Sequence, residues 1–320
     1  MINKLQINLF SCSHRSYRFP FTIKMIDELI QIRNTDKIKL CIHCGVEMTE
    51  YWKRYFSTKL LPFEVMLHQY GDSNYLHRVG QAHKTDCKYS CKLDDDVLVS
   101  KHVWDYMIDN LHMITPKNPI ISPILTNGMP SVELFIEDFL DADDLITAHS
   151  LLLQGVIPPN QWGCDYSQIN TKLRSMKKWD GKEYWDFVKF ADIKWDINNV
   201  PWFYGLCARG IHPSRFSAEY NMFISKKVCE NKDKFFRKNE YSLETYDAPY
   251  FTNNIFISET KFWVDNMYLI TDLYDEGQLN IRLLLDNSKI LYVRNGFGIH
   301  MAYGMTDRGH EIEKEYINNL

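Results

Sequence analysis

Along the first 130 residues the spacing of apolar positions switches repeatedly between two periods. LQINLFSC (5–12) is a short apolar run with period-two character, followed by the polar stretch SHRSYRFP. FTIKMIDELIQIR (21–33) then carries Phe21, Met25, Ile26, Leu29 and Ile30 at helical spacing. The alternation repeats. KIKLCIHCG (37–45) reads as a strand and EMTEYWKRYFSTKLL as a helix; FEVMLHQYGD (63–72) reads as a strand and NYLHRVGQAHKTDC as a helix. YSCKLDDDVLVS (89–100) begins as a strand and breaks at three acids, KHVWDYMIDNLHMI (101–114) is helical, and NPIISPILTNG (118–128) is a further strand. Strands separated by helices of this length predict βαβ units, hence an α/β fold with a mostly parallel sheet flanked by helices. Right-handed crossovers then bring the strand carboxyl ends, and any ligand crevice, to one edge.

The second half loses this regularity. Residues 155–215 are rich in Trp, Pro and Gly with weak periodicity, and include Trp162, Trp179, Trp185, Trp195 and Trp202. SAEYNMFIS (217–225) reads as a strand and KKVCENKDKFFRK as a charged helix. FTNNIFIS (251–258) reads as a strand, ETKFWVDNMYLITDLY (259–274) and EGQLNIRLLLDN as helices, and KILYVRNGF as a strand. No internal repeat and no low-complexity linker interrupts the chain. Residues 1–130 and 131–320 are therefore expected to be two halves of one continuous domain sharing a crevice.

Composition narrows the class. Hydrophobic content of 45% and charged content of 24% over 320 residues match a soluble globular protein. A net charge of −4 gives no electrostatic basis for bulk nucleic-acid binding. No apolar stretch approaches the roughly 20 residues of a membrane-spanning helix, and MINKLQINLFSCSHRSYRF lacks a signal-peptide block. The eight cysteines are sparse for this length and favour reduced thiols. The expectation is a cytoplasmic chain, peripheral to a membrane surface only through its partners. The 14% aromatic content suits a core, and also a site that holds sugars or bases.

The string with most chemical content is CKLDDDVLVS. In an extended chain Asp94 and Asp96 point one way and Asp95 the other. Three adjacent carboxylates repel one another unless a cation neutralises them. Hard oxygen donors suit Mg2+ or Mn2+, which take one or two carboxylates and complete their shell from phosphates and water. An acidic triplet is commonly a solvated turn; this one follows a strand and precedes the apolar VLV.

LDDDVLVS at the end of an internal strand resembles the Asp-x-Asp motif of glycosyltransferases with the GT-A fold, and the preceding alternation is similar to that family's nucleotide-binding half. The resemblance implies that Asp94 and Asp96 hold a divalent cation at the diphosphate of a nucleotide-sugar, with Asp95 contacting the donor ribose or sugar. It implies a donor half in 1–130 and an acceptor-binding and catalytic half in 131–320. Two later strings keep the family's order. Asp275 and Glu276 open the run DEGQLNIRLLLDN, where an acid in a similar pair serves inverting members as the base; simple helix capping is the plainer role. Glu276 is preferred, with Asp275 nearly equal. RNGFGIHMAYG places His300 after two glycines, where many members keep a third metal ligand; a lone histidine is more often structural. An imidazole ligand would favour Mn2+ over Mg2+.

Further candidates are weaker. The resemblance implies a base pocket after the first strand, where Arg15 or Arg18 meets a base or phosphate, and an acid near the nucleoside at Asp72; Arg78 and Lys84 on the next helix are further phosphate candidates. An ordinary basic loop and solvated helix cations are the alternatives. Asp192, Trp195, Asp196, Trp202 and Tyr204 offer the mixture of rings and polar groups that sugars need. Cys41 and Cys44 with Cys87 and Cys91 make a rival zinc set, although strand alternation splits Cys41 from Cys44. No phosphate-binding Gly-x4-Gly-Lys loop, nucleophile elbow or dinucleotide fingerprint is present. The resemblance implies an inverting enzyme with a UDP- or GDP-sugar as co-substrate, Mn2+ or Mg2+ as cofactor, and a saccharide or glycolipid acceptor. The alternatives are a sugar nucleotidyltransferase, against which the glycine-free loop SCSHRSYRF argues, and a non-catalytic carbohydrate-binding protein.

Overall fold

The computed structural model describes residues 5–11, 17–70, 75–158, 160–161, 163–195, 211–246, 250–267, 275–301 and 307–320. It divides into two compact units. The first comprises Met1–Pro123, Phe236–Asp247 and Asn253–Ile299; the second comprises Ile124–Phe235, Ala248–Thr252 and His300–Leu320.

Strands β1 (Leu5–Ser11), β2 (Ile38–Cys44), β3 (Glu64–Gln69) and β4 (Tyr89–Asp94) form the parallel part of a nine-stranded sheet. They lie in the order β3-β2-β1-β4, all three pairings parallel. Burial of every residue of β1 is what helices on both faces of a parallel sheet produce. The other members are β5 (Val97–Val99), β6 (Ile120–Leu125), β10 (Ser242–Tyr246), β11 (Ile255–Glu259) and β12 (Ile290–His300). Beyond β4 come β11, β6, β12 and β10, with β5 also paired to β12. Strand β11 runs antiparallel to both β4 and β6, and β10 runs antiparallel to β12. The sheet is thus mixed, its parallel part being the regular strand–helix portion of the sequence.

Helices α1 (Phe19–Ile30), α2 (Val46–Ser57), α3 (Tyr75–Ala82) and α4 (Lys101–Asp109) supply the crossovers. α1 buries Phe21, Met25, Ile26 and Leu29, the predicted stripe, and packs on β5 and α4. Gln6 and Asn8, polar residues inside β1, find partners on α3 and on β4. Gln6 donates to the Ala82 carbonyl at 2.7 Å, and Asn8 Nδ2 donates to Ser90 Oγ at 3.0 Å.

The second unit is more helical than its sequence pattern suggests. SAEYNMFIS is not a strand: it opens the helix Ala218–Glu230, capped by Ser217, whose hydroxyl accepts the Tyr220 N–H. The Trp-rich window likewise holds the helices Ser167–Ser175 and Gly181–Phe190, with a small sheet of β7 (Asn160–Gln161), β8 (Cys164–Asp165) and β9 (Lys194–Trp195). Trp179 and Trp185 are core residues, packed around His212.

That core is tied by a buried polar chain. Ser214 N–H donates to His212 Nδ1 at 3.2 Å, which makes Nε2 the protonated nitrogen; it donates to Glu133 Oε1 at 2.9 Å, while Trp179 Nε1 donates to Oε2 at 3.0 Å. Serine, histidine and glutamate in series is also the order of a nucleophilic triad. Here Ser214 is fully buried and lies 2.8 Å from His212 Nδ1, so the chain acts as a structural lock. Glu133→Ala is expected to destabilise the protein by about 3 kcal/mol, because two buried donors lose their acceptor together. Urea unfolding that differs from wild type by less than about 1 kcal/mol would contradict this.

Candidate functional site

Strand order reverses between β1 and β4: β2 and β3 continue on one side of β1, and β4 lies on the other. In open α/β sheets the ligand crevice forms outside the carboxyl ends of the strands at such a point. The acidic triplet stands there. Asp94 is the last residue of β4, in register with Phe10 near the end of β1, and its N–H donates to the Asn254 carbonyl at 2.9 Å.

The triplet is not an extended segment. The chain turns through Asp95 and Asp96 and re-enters the sheet as β5 beside β12. Strict alternation of the three side chains therefore ends at Asp94. Thr22 Oγ1 donates to the Asp95 carbonyl at 2.9 Å, tying the turn to the first turn of α1. Asp95 and Asp96 are both buried.

Two cations of the chain meet the triplet. Arg18 is the N-cap residue of α1, and its Nη1 lies 2.6 Å from Asp96 Oδ2 in an ion pair with side-chain exposures of 3% and 7%. Lys92 shares the Asp94 side of β4, as positions two apart on a strand do. Its Nζ lies 2.7 Å from Asp94 Oδ1 and donates to the Asn253 carbonyl at 3.0 Å, with 1% exposure. Asn254 Nδ2 reaches Asp94 Oδ2 at 3.3 Å. Asp94 and Asp96 are thus each paired with a resident cation. Removing one partner from a buried pair leaves an uncompensated charge, so the pairs fix the carboxylate positions.

Arg18 is the sequence candidate that the fold joins directly to the triplet. Lys92, Thr22, Asn253 and Asn254 were not among the candidates. Lys92 carried a usable signal, its position two residues before Asp94 in a strand; the asparagines carried none.

The remaining candidates are dispersed or lie outside the described residues. Glu276 sits, half buried, in the first turn of the helix Asp275–Leu285, its carbonyl accepting Asn280 Nδ2 at 2.8 Å. Asp275 begins that helix, but its side chain lies outside the described residues, as do the side chains of Arg78 and Trp195. Arg15, Asp72, Asp196, Trp202 and Tyr204 lie wholly outside them. Asp192 is exposed.

His300 ends β12, which runs through both glycines instead of breaking at them. The glycine requirement there belongs to the backbone. Asn295 adopts φ 58, and a Cβ on Gly296 would overlap the Val293 side chain. His300 is buried, its N–H donates to Thr126 Oγ1 at 3.0 Å, and its Nδ1 contacts the Asn127 carbonyl. A carbonyl can only accept, so Nδ1 carries the proton and Nε2 is the nitrogen with a lone pair.

The donor chemistry of Asp94 and Asp96 fits Mg2+ or Mn2+, which take one or two protein carboxylates with phosphate oxygens and water. Among the described residues, no three His, Cys, Asp or Glu side chains are grouped as a complete protein cage. The rival zinc set is not formed: Cys41, Cys44, Cys87 and Cys91 are buried free thiols. Burial pushes the Cys41 thiol up to about 12 and raises Cys91 as well. No helix among the described residues is long and apolar enough to cross a membrane.

No protein-family model matches this sequence, and no curated protein matches it. Among solved structures the chain is similar to the mannosyltransferase PcManGT from Pyrobaculum calidifontis, in complex with GDP-Man and Mn2+, at 11% identity and a TM-score of 0.32 over 38% of this chain and 35% of that chain. It is similar to S. aureus TarS at 9% identity and a TM-score of 0.30, over 38% of this chain and 21% of that chain. With the 1–349 fragment of S. aureus TarS the similarity extends over 99% of this chain and 71% of that chain, at 9% identity and a TM-score of 0.40.

Proposed function

We propose that this protein is a glycosyltransferase that draws on a nucleoside-diphosphate sugar and binds the diphosphate at the acidic turn. The observation that carries the reading is the position of Asp94–Asp96 at the carboxyl end of β4 where strand order reverses, Asp95 and Asp96 buried and Asp94 half-buried. Asp94 and Asp96 would hold Mn2+ or Mg2+, and Asp95 would meet the donor ribose or sugar. When bound, that cation offsets the negative charge that develops on the departing diphosphate.

The chain's own groups do the rest. Arg18 adds a guanidinium beside the diphosphate, with Arg15 and Arg78 as further cationic contacts and Asp72 near the nucleoside. Glu276, or its neighbour Asp275, takes the proton from the attacking sugar hydroxyl, and a base on the face opposite the leaving group gives inversion. His300 offers Nε2 as an imidazole donor, to be tested by its own replacement. The donor half is assigned to 1–130 and the acceptor-binding, catalytic half to 131–320, with a saccharide or glycolipid as acceptor.

The test is thermal unfolding of the whole chain with UDP or GDP, each with and without Mn2+. A ligand at about a hundred times its Kd stabilises by about 2.7 kcal/mol. One nucleotide is expected to raise Tm by several degrees, and only with the metal present. No shift with either nucleotide in the presence of Mn2+ would sink the reading.

A further inference from the structure

Sequence alone leaves three adjacent carboxylates in need of counter-charge. The fold supplies part of it from the chain: Arg18 Nη1 is 2.6 Å from Asp96 Oδ2, and Lys92 Nζ is 2.7 Å from Asp94 Oδ1. The two cations are held differently. Lys92 rises from within β4, and the Asn253 carbonyl takes a second of its protons at 3.0 Å, so strand and β11 approach hold it together. Arg18 stands off the sheet, at the N-cap of α1, with its guanidinium carbon 5.8 Å over the Tyr17 ring. A guanidinium presents five donors in a planar fork that suits phosphate as well as carboxylate.

We infer that Arg18 is an exchangeable counter-ion, which neutralises Asp96 until a dication binds there and then turns to the diphosphate that arrives with it. This rests on the acidic turn being a metal–diphosphate site, and adds how that site is regulated: cation and nucleotide bind together. The sign of the charges gives the reason. A dication shared by Asp94 and Asp96 meets Arg18 on one carboxylate and Lys92 on the other, each within hydrogen-bond distance, so metal alone is opposed. A diphosphate reverses that balance, and Arg18 then attracts what has entered. Linkage makes the effect reciprocal: the factor by which nucleotide tightens metal is the factor by which metal tightens nucleotide.

The test follows Mn2+ binding by electron paramagnetic resonance of the free ion, and UDP and GDP binding by calorimetry. Each is measured with and without the other in wild type, Arg18→Gln and Arg18→Lys. In wild type Mn2+ alone binds weakly, and a nucleoside diphosphate tightens it about tenfold or more. Arg18→Gln removes the competing charge, so Mn2+ alone binds about tenfold tighter and restores Tm to a variant that is otherwise less stable, while the coupling falls toward unity. Arg18→Lys keeps the charge and the weak binding of Mn2+ alone.

Mn2+ binding by Arg18→Gln no tighter than wild type, in a protein whose wild type still binds nucleotide with Mn2+, would overturn the exchange and leave the site reading standing. Absence of Mn2+-dependent nucleotide binding in wild type would overturn the site reading itself. Should Arg18→Gln fail to fold, tight binding of Mn2+ alone by Arg18→Lys, or additive binding of metal and nucleotide in wild type, would overturn the exchange.

Discussion

Asp96→Asn is expected to lower transfer roughly a thousandfold and to destabilise the fold by about 3 kcal/mol, two effects with one origin. The amide keeps the shape of the side chain and removes its charge. Arg18, 3% exposed, then remains as a buried guanidinium facing a neutral group. The activity loss follows from the same oxygen atoms: with one of two carboxylates neutral, the cation is held poorly and about 4 kcal/mol of charge stabilisation at the diphosphate is lost. A second substitution separates the effects. Arg18→Gln combined with Asp96→Asn removes both charges, and deleting a buried pair together is close to neutral in stability. The double variant should therefore recover to within about 1 kcal/mol of wild type in urea unfolding while Mn2+-dependent nucleotide binding stays lost. Asp96→Asn that binds Mn2+ and nucleotide as wild type does would remove Asp96 from the metal site.

The place of that pair shows how far the sequence could be read. β1 to β4 were legible because each is a short stretch with apolar residues clustered or at period two and polar loops at its ends, and α1 because its buried face repeats at helical spacing. The helix Ala218–Glu230 was not, because its buried face includes Asn221 and Ser225 between Tyr220, Ile224 and Val228. Those polar residues erase the helical stripe and leave an apparent strand. Asn221 Nδ2 is satisfied by the Ser214 carbonyl at 2.9 Å, a partner seven residues away that no periodicity reveals. Lys92 was passed over despite its place two residues before Asp94: a lysine reads as a solvated cation, yet this one is 1% exposed because Asp94 and the Asn253 carbonyl replace water. The acids of the turn after β4 were readable in the sequence as a run at the end of a strand. The cations that answer them depend on α1 and the segment before β11 reaching the end of β4, which only the folded chain specifies.

Glu276→Gln is expected to lower transfer by roughly 10^2- to 10^4-fold, the range for removing a positioned general base, while the Kd of the metal–nucleotide complex changes less than about twofold. The separation follows from position. Glu276 is half buried in the first turn of the helix Asp275–Leu285, an element separate from the acidic turn after β4. A helix amino end favours the carboxylate form, which is the form a base needs, and the amide substitution keeps size while removing the proton acceptor. Asp275→Asn is the paired control: if Glu276 is the base, it costs less than about tenfold, which is the loss of a helix-end charge worth up to about 1 kcal/mol. The reverse pattern would move the role to Asp275. Full activity in both variants would remove this helix start from the chemistry, and a product that keeps the donor's anomeric configuration would exclude a single displacement whichever acid accepts the proton.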